Sequence, residues 1–195
     1  MTKKLVQSLH FAFAGIKHAI RTERNMKIHM LCALAVSLFG MTVPLEFGTR
    51  VALLFAMAMV LFAELLNTAL EAIVDLYMGE THRLAMVAKD AAAGGVLIIA
   101  VASVFVFAEV VWLHWSYIAS NVSEIAYWGA FGVSLIICQA LALFLARWRF
   151  TYWLAFAASV FIYVPLFFFT RDVVFSVVAF ILILLSLVVR EPKHV

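Results

Sequence analysis

The sequence predicts an all-α integral membrane protein with an N-terminal amphipathic surface helix, six transmembrane helices and both termini in the cytoplasm. Of its 195 residues, 67% are hydrophobic and only 13% are charged, which is far from the composition of a soluble globular domain. About 20 apolar residues in helical form cross the core of a bilayer, and a helix satisfies its own backbone hydrogen bonds there. Apolar runs of this kind recur along the chain, so helices are the expected spanning elements.

The N-terminal segment predicts an amphipathic helix over Lys3 to Arg21. Leu5, Leu9 and Phe13 recur there at helical spacing among basic and polar residues, a pattern typical of helices that lie in the membrane interface. The predicted spans follow at Ile28 to Val43, Val51 to Val74, Ala91 to Val111, Ile125 to Ala146, Tyr152 to Phe169 and Val173 to Val189.

The distribution of basic residues predicts the orientation of these spans. If the N terminus is cytoplasmic, every Lys and Arg except Arg50 and Arg171 lies on the cytoplasmic side. Basic residues are in excess in cytoplasmic loops, so this distribution favours an even number of spans with both termini inside. Anionic lipid head groups account for the formal charge of +3, and no nucleic-acid partner is expected. His29, at the start of the first span, is expected to lie at the interface.

A break in composition near Trp112 divides the chain into two predicted parts. Residues 1–112 comprise the surface helix and three spans, with acids inside the spans and strongly charged loops. Residues 113–195 form an extension of three spans, which are rich in Phe, Leu, Val and Ala and have no ionisable residue at their centres. We therefore expect the chemistry to reside in the first part and a structural role for the second.

Polar residues form one stripe along the second predicted span. They are Glu64, Asn67, Glu71 and Asp75. At about 100° per residue, they project within one narrow arc of a helix. A charged residue near the bilayer centre costs at least about 2.5–3.5 kcal/mol, so several acids on one face indicate a site that binds a cation.

The stripe allows other interpretations. The acids could instead form interhelical contacts with Arg24, Lys89 and each other, because ion pairs also occur inside membrane bundles. A non-catalytic membrane transporter or lipid-binding protein would use the stripe as a cation site. Against a transporter, the sequence has no visible inverted repeat, and the last three predicted spans have no charge at their centres.

Two charged groups flank the stripe near the predicted cytoplasmic side. Glu23, Arg24 and Asn25 precede the first span, and Lys89 and Asp90 open the third. Carboxylate oxygens suit Mg²⁺, which also takes water and phosphate oxygens as ligands. A lysine beside such a cluster could hold a phosphate.

Two spaced motifs and an upstream stretch carry a family resemblance. The run from Glu64 to Asp75, ELLNTALEAIVD, is followed by Ala88 to Gly94, AKDAAAG. Upstream lie Gly15-Ile16 and the stretch from Arg21 to His29, RTERNMKIH. Together these segments closely resemble the signature of the prokaryotic diacylglycerol kinase and undecaprenol kinase family, and the upstream stretch is similar to its undecaprenol kinase branch. The resemblance covers the surface helix and three spans and ends near Trp112.

The resemblance implies an ATP- and Mg²⁺-dependent lipid kinase of the bacterial cytoplasmic membrane, which phosphorylates the hydroxyl of undecaprenol or diacylglycerol on the cytoplasmic side. It also implies a homotrimer with active sites between neighbouring subunits. In that scheme Glu64 is the general base on the lipid hydroxyl, and Glu23 and Glu71 hold Mg²⁺. The other residues that the resemblance assigns to the nucleotide and the polar cluster are Asn67, Asp75, Glu80, His82, Lys89 and Asp90. The family's nucleotide contacts on the surface helix have no match between Leu5 and Ala14.

Overall fold

The computed structural model describes the backbone of residues 2–78, 83–145 and 149–190, and the side chains of residues 4–77, 83–144 and 150–188. Apart from short connections, this part of the chain is helical, and it has no strand. The helices are α1 Thr2–Thr22, α2 Arg24–Thr42, α3 Phe47–Met78, α4 Arg83–Leu113, α5 Trp115–Ser120, α6 Val122–Ala140, α7 Arg149–Phe169 and α8 Val173–Leu185. A π-helical turn, Leu141–Leu145, continues α6, and a 3-10 helix, Ser186–Arg190, continues α8. The predicted all-α class is therefore confirmed.

Five helices in the described ranges are long and apolar enough to cross a membrane, namely α2, α3, α4, α6 with its continuation, and α7. The sixth predicted span coincides with a shorter apolar helix, Val173–Val188. The short helix α5 lies between α4 and α6, where the sequence predicted no element. The structure thus establishes five candidate spans, and the sixth stays a prediction.

The predicted surface helix is confirmed as a helix, and it ends at a sharp change of direction. Leu5, Leu9 and Phe13 are exposed along α1, whereas Ala19 and Ile20 near its end are buried. Glu23 then separates α1 from α2 with extended backbone angles, φ −89° and ψ 123°. A single non-helical residue therefore carries the chain from the exposed helix into the bundle.

Helices α3 and α4 are longer than the apolar runs that predicted them. They contain 32 and 31 residues, which corresponds to about 48 and 46 Å, whereas the hydrocarbon core of a bilayer is about 30 Å thick. The two helices pack against each other, and an ion pair between Asp75 and Lys89 joins the end of α3 to the start of α4. Polar residues at this joined end are thereby carried beyond the apolar core.

The hydrophobic core runs across the predicted boundary at residue 112. Helix α2 packs against α3 on one side and against α6 and α8 on the other. Its buried residues Leu34 and Leu38 share one cluster with Phe175 and Ala179 of α8. A Cβ atom added at Gly40 would lie 2.5 Å from the Phe175 ring, so this close approach requires glycine. The two predicted parts are packed together, although their compositions differ.

Two ion pairs reinforce this packing at the predicted outer side. Arg50 Nη1 at the start of α3 lies 3.1 Å from Asp172 Oδ2, and Arg171 Nη2 lies 2.9 Å from Glu124 Oε1 of α6. Asp172 also caps α8, because its side chain accepts hydrogen bonds from the backbone N–H groups of Val174 and Phe175. The two arginines that the charge distribution placed outside are therefore both paired with acids of the extension.

Candidate active site

The polar stripe lies on the half of α3 that leads to its junction with α4. Its exposure rises along the helix: Glu64 is 1% exposed and Asn67 is 7% exposed, Glu71 is half-buried, and Asp75 is exposed. Apolar neighbours of Asp75 such as Leu76 are exposed as well, so the gradient reflects how much of α3 the other helices cover. The stripe therefore joins a carboxylate buried in the bundle to one on the surface of the chain.

Glu64 is a buried carboxylate whose electrostatic environment is mainly negative. The charges of Glu23, which precedes the first span, and Glu71 both act on it. His29 Nε2 of α2 lies 3.2 Å from Glu64 Oε1. Among the described residues this buried oxygen nevertheless has no hydrogen-bond donor. An acceptor atom is thus left available next to two further acids.

Asn67 fixes the position of Glu71. Its amide Nδ2 donates a hydrogen bond to Glu71 Oε1 at 2.7 Å, and the opposite amide orientation would place two oxygens against each other. The Asn67 Oδ1 atom is buried, and no donor in the described part of the chain reaches it. Since buried polar atoms are nearly always hydrogen-bonded, this second orphaned acceptor marks a place where a donor or a cation fits.

The surface end of the stripe combines charges of both signs. The Lys89 ammonium pairs with Asp75, and Asp90 is exposed on the next position of α4. The predicted contributors Glu80 and His82 lie outside the described residues.

Glu23 lies at the junction of α1 and α2, and its charge acts on Glu64. It is half-buried, and its side chain makes no capping hydrogen bond to α2. Its neighbours Arg24 and Asn25 are exposed. The structure thus brings Glu23, Glu64, Asn67 and Glu71 together, with Asp75 and Lys89 further along the same helical pair.

The donor set fits Mg²⁺ without forming a complete metal site. In the part of the chain that the structure describes, no group of three or more His, Cys, Asp or Glu side chains could hold a metal ion. Mg²⁺ is usually held by one or two carboxylates, with waters and substrate phosphates completing its shell. Glu23 and Glu71 each act electrostatically on Glu64, and two carboxylates are the number that such a site needs.

An apolar groove leads to the cluster from the membrane interior. It has a volume of about 400 Å³ and lies between α2, α3 and α4, within the size range of ligand pockets. Aliphatic side chains such as Val36 and Val60 form most of its wall, and His29 and Ser103 are among the few polar residues there. The Ser103 hydroxyl donates to Ile99 O at 2.8 Å. His29 therefore marks the end of the groove that lies beside Glu64.

Comparison with known proteins identifies the family. The sequence model described as Prokaryotic diacylglycerol kinase matches residues 10–111 of the 195. This chain belongs to the prokaryotic diacylglycerol kinase family. The matched range contains the whole stripe, Glu23, His29 and the residues that line the groove, so the resemblance seen in the sequence motifs is confirmed.

Relatives within this family carry two different names. A diacylglycerol kinase of Synechocystis sp. is 43% identical over 103 residues, which are 52% of this chain and 59% of that protein. An undecaprenol kinase of Bacillus subtilis is 40% identical over 51% of this chain and 81% of that protein. A diacylglycerol kinase of Escherichia coli is 26% identical over 57% of this chain and 91% of that protein. No solved structure matches the chain significantly.

Sequence reasoning did not find the partner of His29. The expected place of this residue at the interface stays a prediction, whereas the structure shows it half-buried beside Glu64. The available signal was weak: His29 ends the stretch RTERNMKIH that resembles the family, and nothing in that stretch indicates its partner on α3. The contact became visible only when the packing of α2 against α3 was known.

Proposed function

We propose that this chain is an ATP- and Mg²⁺-dependent lipid kinase of the bacterial cytoplasmic membrane, which phosphorylates the hydroxyl of undecaprenol or diacylglycerol on the cytoplasmic side. The observation that carries the proposal is the position of Glu64. This carboxylate is buried, has an oxygen without a hydrogen-bond donor among the described residues, and lies between an apolar groove and a cluster of acids. A membrane-embedded alcohol and a charged phosphate donor can therefore meet at one point.

The groove supports a lipid as the acceptor. A hydrocarbon chain that enters between α2, α3 and α4 replaces lipid contacts with apolar protein contacts, so its insertion requires no desolvation of charge. Its terminal hydroxyl would then reach the end of the groove marked by His29, beside Glu64. The names of the relatives divide between undecaprenol and diacylglycerol as acceptors, and both alcohols suit this geometry.

Glu64 is the general base in this proposal. As the hydroxyl oxygen attacks the γ-phosphorus of ATP, the Glu64 carboxylate accepts the hydroxyl proton, the new P–O bond forms and the bond to ADP breaks. Phosphoryl transfer depends mainly on positioning and on neutralising charge on the phosphate oxygens. The negative surroundings of Glu64 keep it a good proton acceptor, and burial in the bundle limits competition by water.

The phosphate side of the site is assigned to the surface end of the stripe. Glu23 and Glu71 would hold Mg²⁺, which neutralises phosphate charge when it is bound. Asn67 keeps Glu71 in place through its amide hydrogen bond. Lys89 and Asp90 are the proposed nucleotide contacts, with Asp75 orienting Lys89 through their ion pair and with Glu80 and His82 contributing from the connection between α3 and α4.

The proposal includes six spans, cytoplasmic termini and a homotrimer. Helix α8 and the 3-10 helix after it together rise about 30 Å, which matches the thickness of the bilayer core. An even number of spans then brings both termini to the cytoplasmic side. A homotrimer is compatible with the exposure of α4, because only 11% of its most apolar 18-residue stretch is buried within one chain. The rest of that stretch is free to contact neighbouring subunits or lipid.

Phosphate transfer to a panel of lipids tests this function. Purified protein in lipid nanodiscs would be incubated with labelled ATP, Mg²⁺ and undecaprenol, diacylglycerol or a lipid without a hydroxyl. We expect label in a lipid alcohol only, and only when Mg²⁺ is present. No label in any alcohol, from protein that is assembled and monodisperse, would refute the kinase assignment. Movement of a cation across sealed vesicles without transfer would favour the transporter alternative.

A further inference from the structure

His29 connects the apolar groove to the carboxylate that the proposed function uses as a base. Its side chain lines the groove, and its Nε2 atom lies 3.2 Å from Glu64 Oε1. Glu64 itself is not part of the groove wall. A hydroxyl group at the end of the groove would therefore contact the imidazole ring, whose Nε2 atom adjoins the Glu64 carboxylate.

We propose that His29 is a positioning residue, which holds the Glu64 carboxylate towards the end of the groove so that Oε1 faces the lipid hydroxyl. This inference rests on the proposed function, because it assigns His29 a role in the same phosphoryl transfer. It requires a ring N–H to point at Oε1, from which Nε2 is already only 3.2 Å away. Hydrogen bonds in active sites are often poorly aligned until the substrate is bound.

The charges around Glu64 explain why such a residue is needed. Glu23 and Glu71 both repel its carboxylate, so without a donor the group would turn away from them and lose a defined direction. Lys27, on the same helix as His29, does not compensate this charge. Its Nζ atom donates to Arg21 O at 3.4 Å and lies over the Phe144 ring, which turns it away from the groove. Arg24, nearer the start of α2, is exposed.

A purely structural contact predicts different behaviour. If His29 served only to pair a buried acid, its loss would lower stability and would affect turnover equally whether or not Glu64 could act as a base. A positioning residue acts through its target, so its effect disappears once Glu64 is replaced. Glutamine at position 29 can still donate a hydrogen bond, whereas leucine cannot.

The first test is a double-mutant cycle on the full-length protein. We expect His29→Leu to lower kcat by about ten- to a hundredfold, the loss typical of a misplaced reacting group, while the KM for ATP stays unchanged. His29→Gln should restore part of the rate, and His29→Leu should cause no further loss in a Glu64→Gln background. His114→Leu is the matched control, because His114 is also half-buried but contacts Val110 O near the far end of α4.

The second test needs neither ATP nor Mg²⁺. The infrared band of the Glu64 carboxyl group is obtained as the difference between wild type and Glu64→Gln, and it reports on the environment of that group alone. We expect His29→Leu to shift this band, His29→Gln to return it towards the wild-type position, and His114→Leu to leave it in place. An unmoved band, or wild-type turnover in assembled His29→Leu, would overturn the inference. Absence of transfer by the wild-type protein would instead overturn the proposed function.

Discussion

Replacement of Glu64 by glutamine should separate the activity of this protein from its stability. Glutamine keeps the shape of the side chain but removes the negative charge and cannot accept the hydroxyl proton. Because Glu64 is 1% exposed and interacts with the charges of Glu23 and Glu71, that negative charge is costly in the folded protein. The substitution therefore removes the proposed base and relieves an unfavourable interaction at the same time.

The two effects differ in sign and in size. Loss of a general base lowers turnover by about 10²–10⁴-fold, which corresponds to about 3–5 kcal/mol in the activation barrier. In the folded state, an ionised acid at membrane depth costs at least about 2.5 kcal/mol, and the Oε1 atom of Glu64 gains no hydrogen bond from the described residues to offset that cost. We therefore expect the thermal stability of Glu64→Gln to equal or exceed that of the wild type.

Both quantities can be measured on one preparation. Turnover would be determined at saturating ATP and Mg²⁺ and normalised to correctly assembled protein, and thermal unfolding would be followed in the same detergent. Glu109→Gln is the matched control, because Glu109 is an exposed acid towards the far end of α4, and it should change neither value. Turnover near wild type in Glu64→Gln would remove Glu64 from the role of base. A clear loss of stability would show that the carboxylate instead makes a favourable structural pair.

Three further substitutions and one truncation test other parts of the structure. Glu71→Gln and Glu23→Gln should each raise the Mg²⁺ concentration needed for half-maximal turnover, because each removes an anionic ligand; an unchanged metal titration in both would refute the metal assignment. Asp172→Ala should lower the free energy of unfolding by about 1–3 kcal/mol, since it removes a helix cap and the ion-pair partner of the partly exposed Arg50, yet assembled protein should keep its turnover. A protein truncated after His114 should still phosphorylate a short-chain, detergent-soluble lipid alcohol, although it should need more Mg²⁺. Failure of that assembled protein to transfer phosphate would place part of the active site in the extension.

The sequence predicted those features that depend on one helix at a time. Apolar runs revealed the spans, and residues spaced by three and four positions placed the stripe on one face of α3. The ends of α3 and α4 were harder to predict, because hydropathy indicates which residues lie in the bilayer and does not indicate where a helix ends. Outside the predicted apolar runs, residues such as Leu76, Arg83 and Lys89 are good helix formers, and the helices include them.

Contacts between helices could not be predicted in the same way. His29 meets Glu64, and Arg50 meets Asp172, because α2, α3 and α8 pack together in one core. Neither pair has a characteristic sequence spacing, since each partner lies on a different helix. Even the break in composition at Trp112 was a poor guide to packing: it marks a difference in chemistry, whereas Gly40 and Phe175 interlock across it.

The extension is also tied to the site through the end of α1. Arg21 Nε donates a hydrogen bond to Val188 O at 2.7 Å, and Val188 is buried in the 3-10 helix that follows α8. Arg21 stands just before Glu23, the extended residue that joins α1 to α2, so this bond fixes the segment that presents the Glu23 carboxylate. Glu64 and Glu71 depend instead on α3 and its contacts with α2 and α4. Removal of the extension should therefore weaken the binding of Mg²⁺ and leave Glu64 in place. The extension takes no part in the chemistry, but it supports the segment that carries Glu23, a proposed Mg²⁺ ligand.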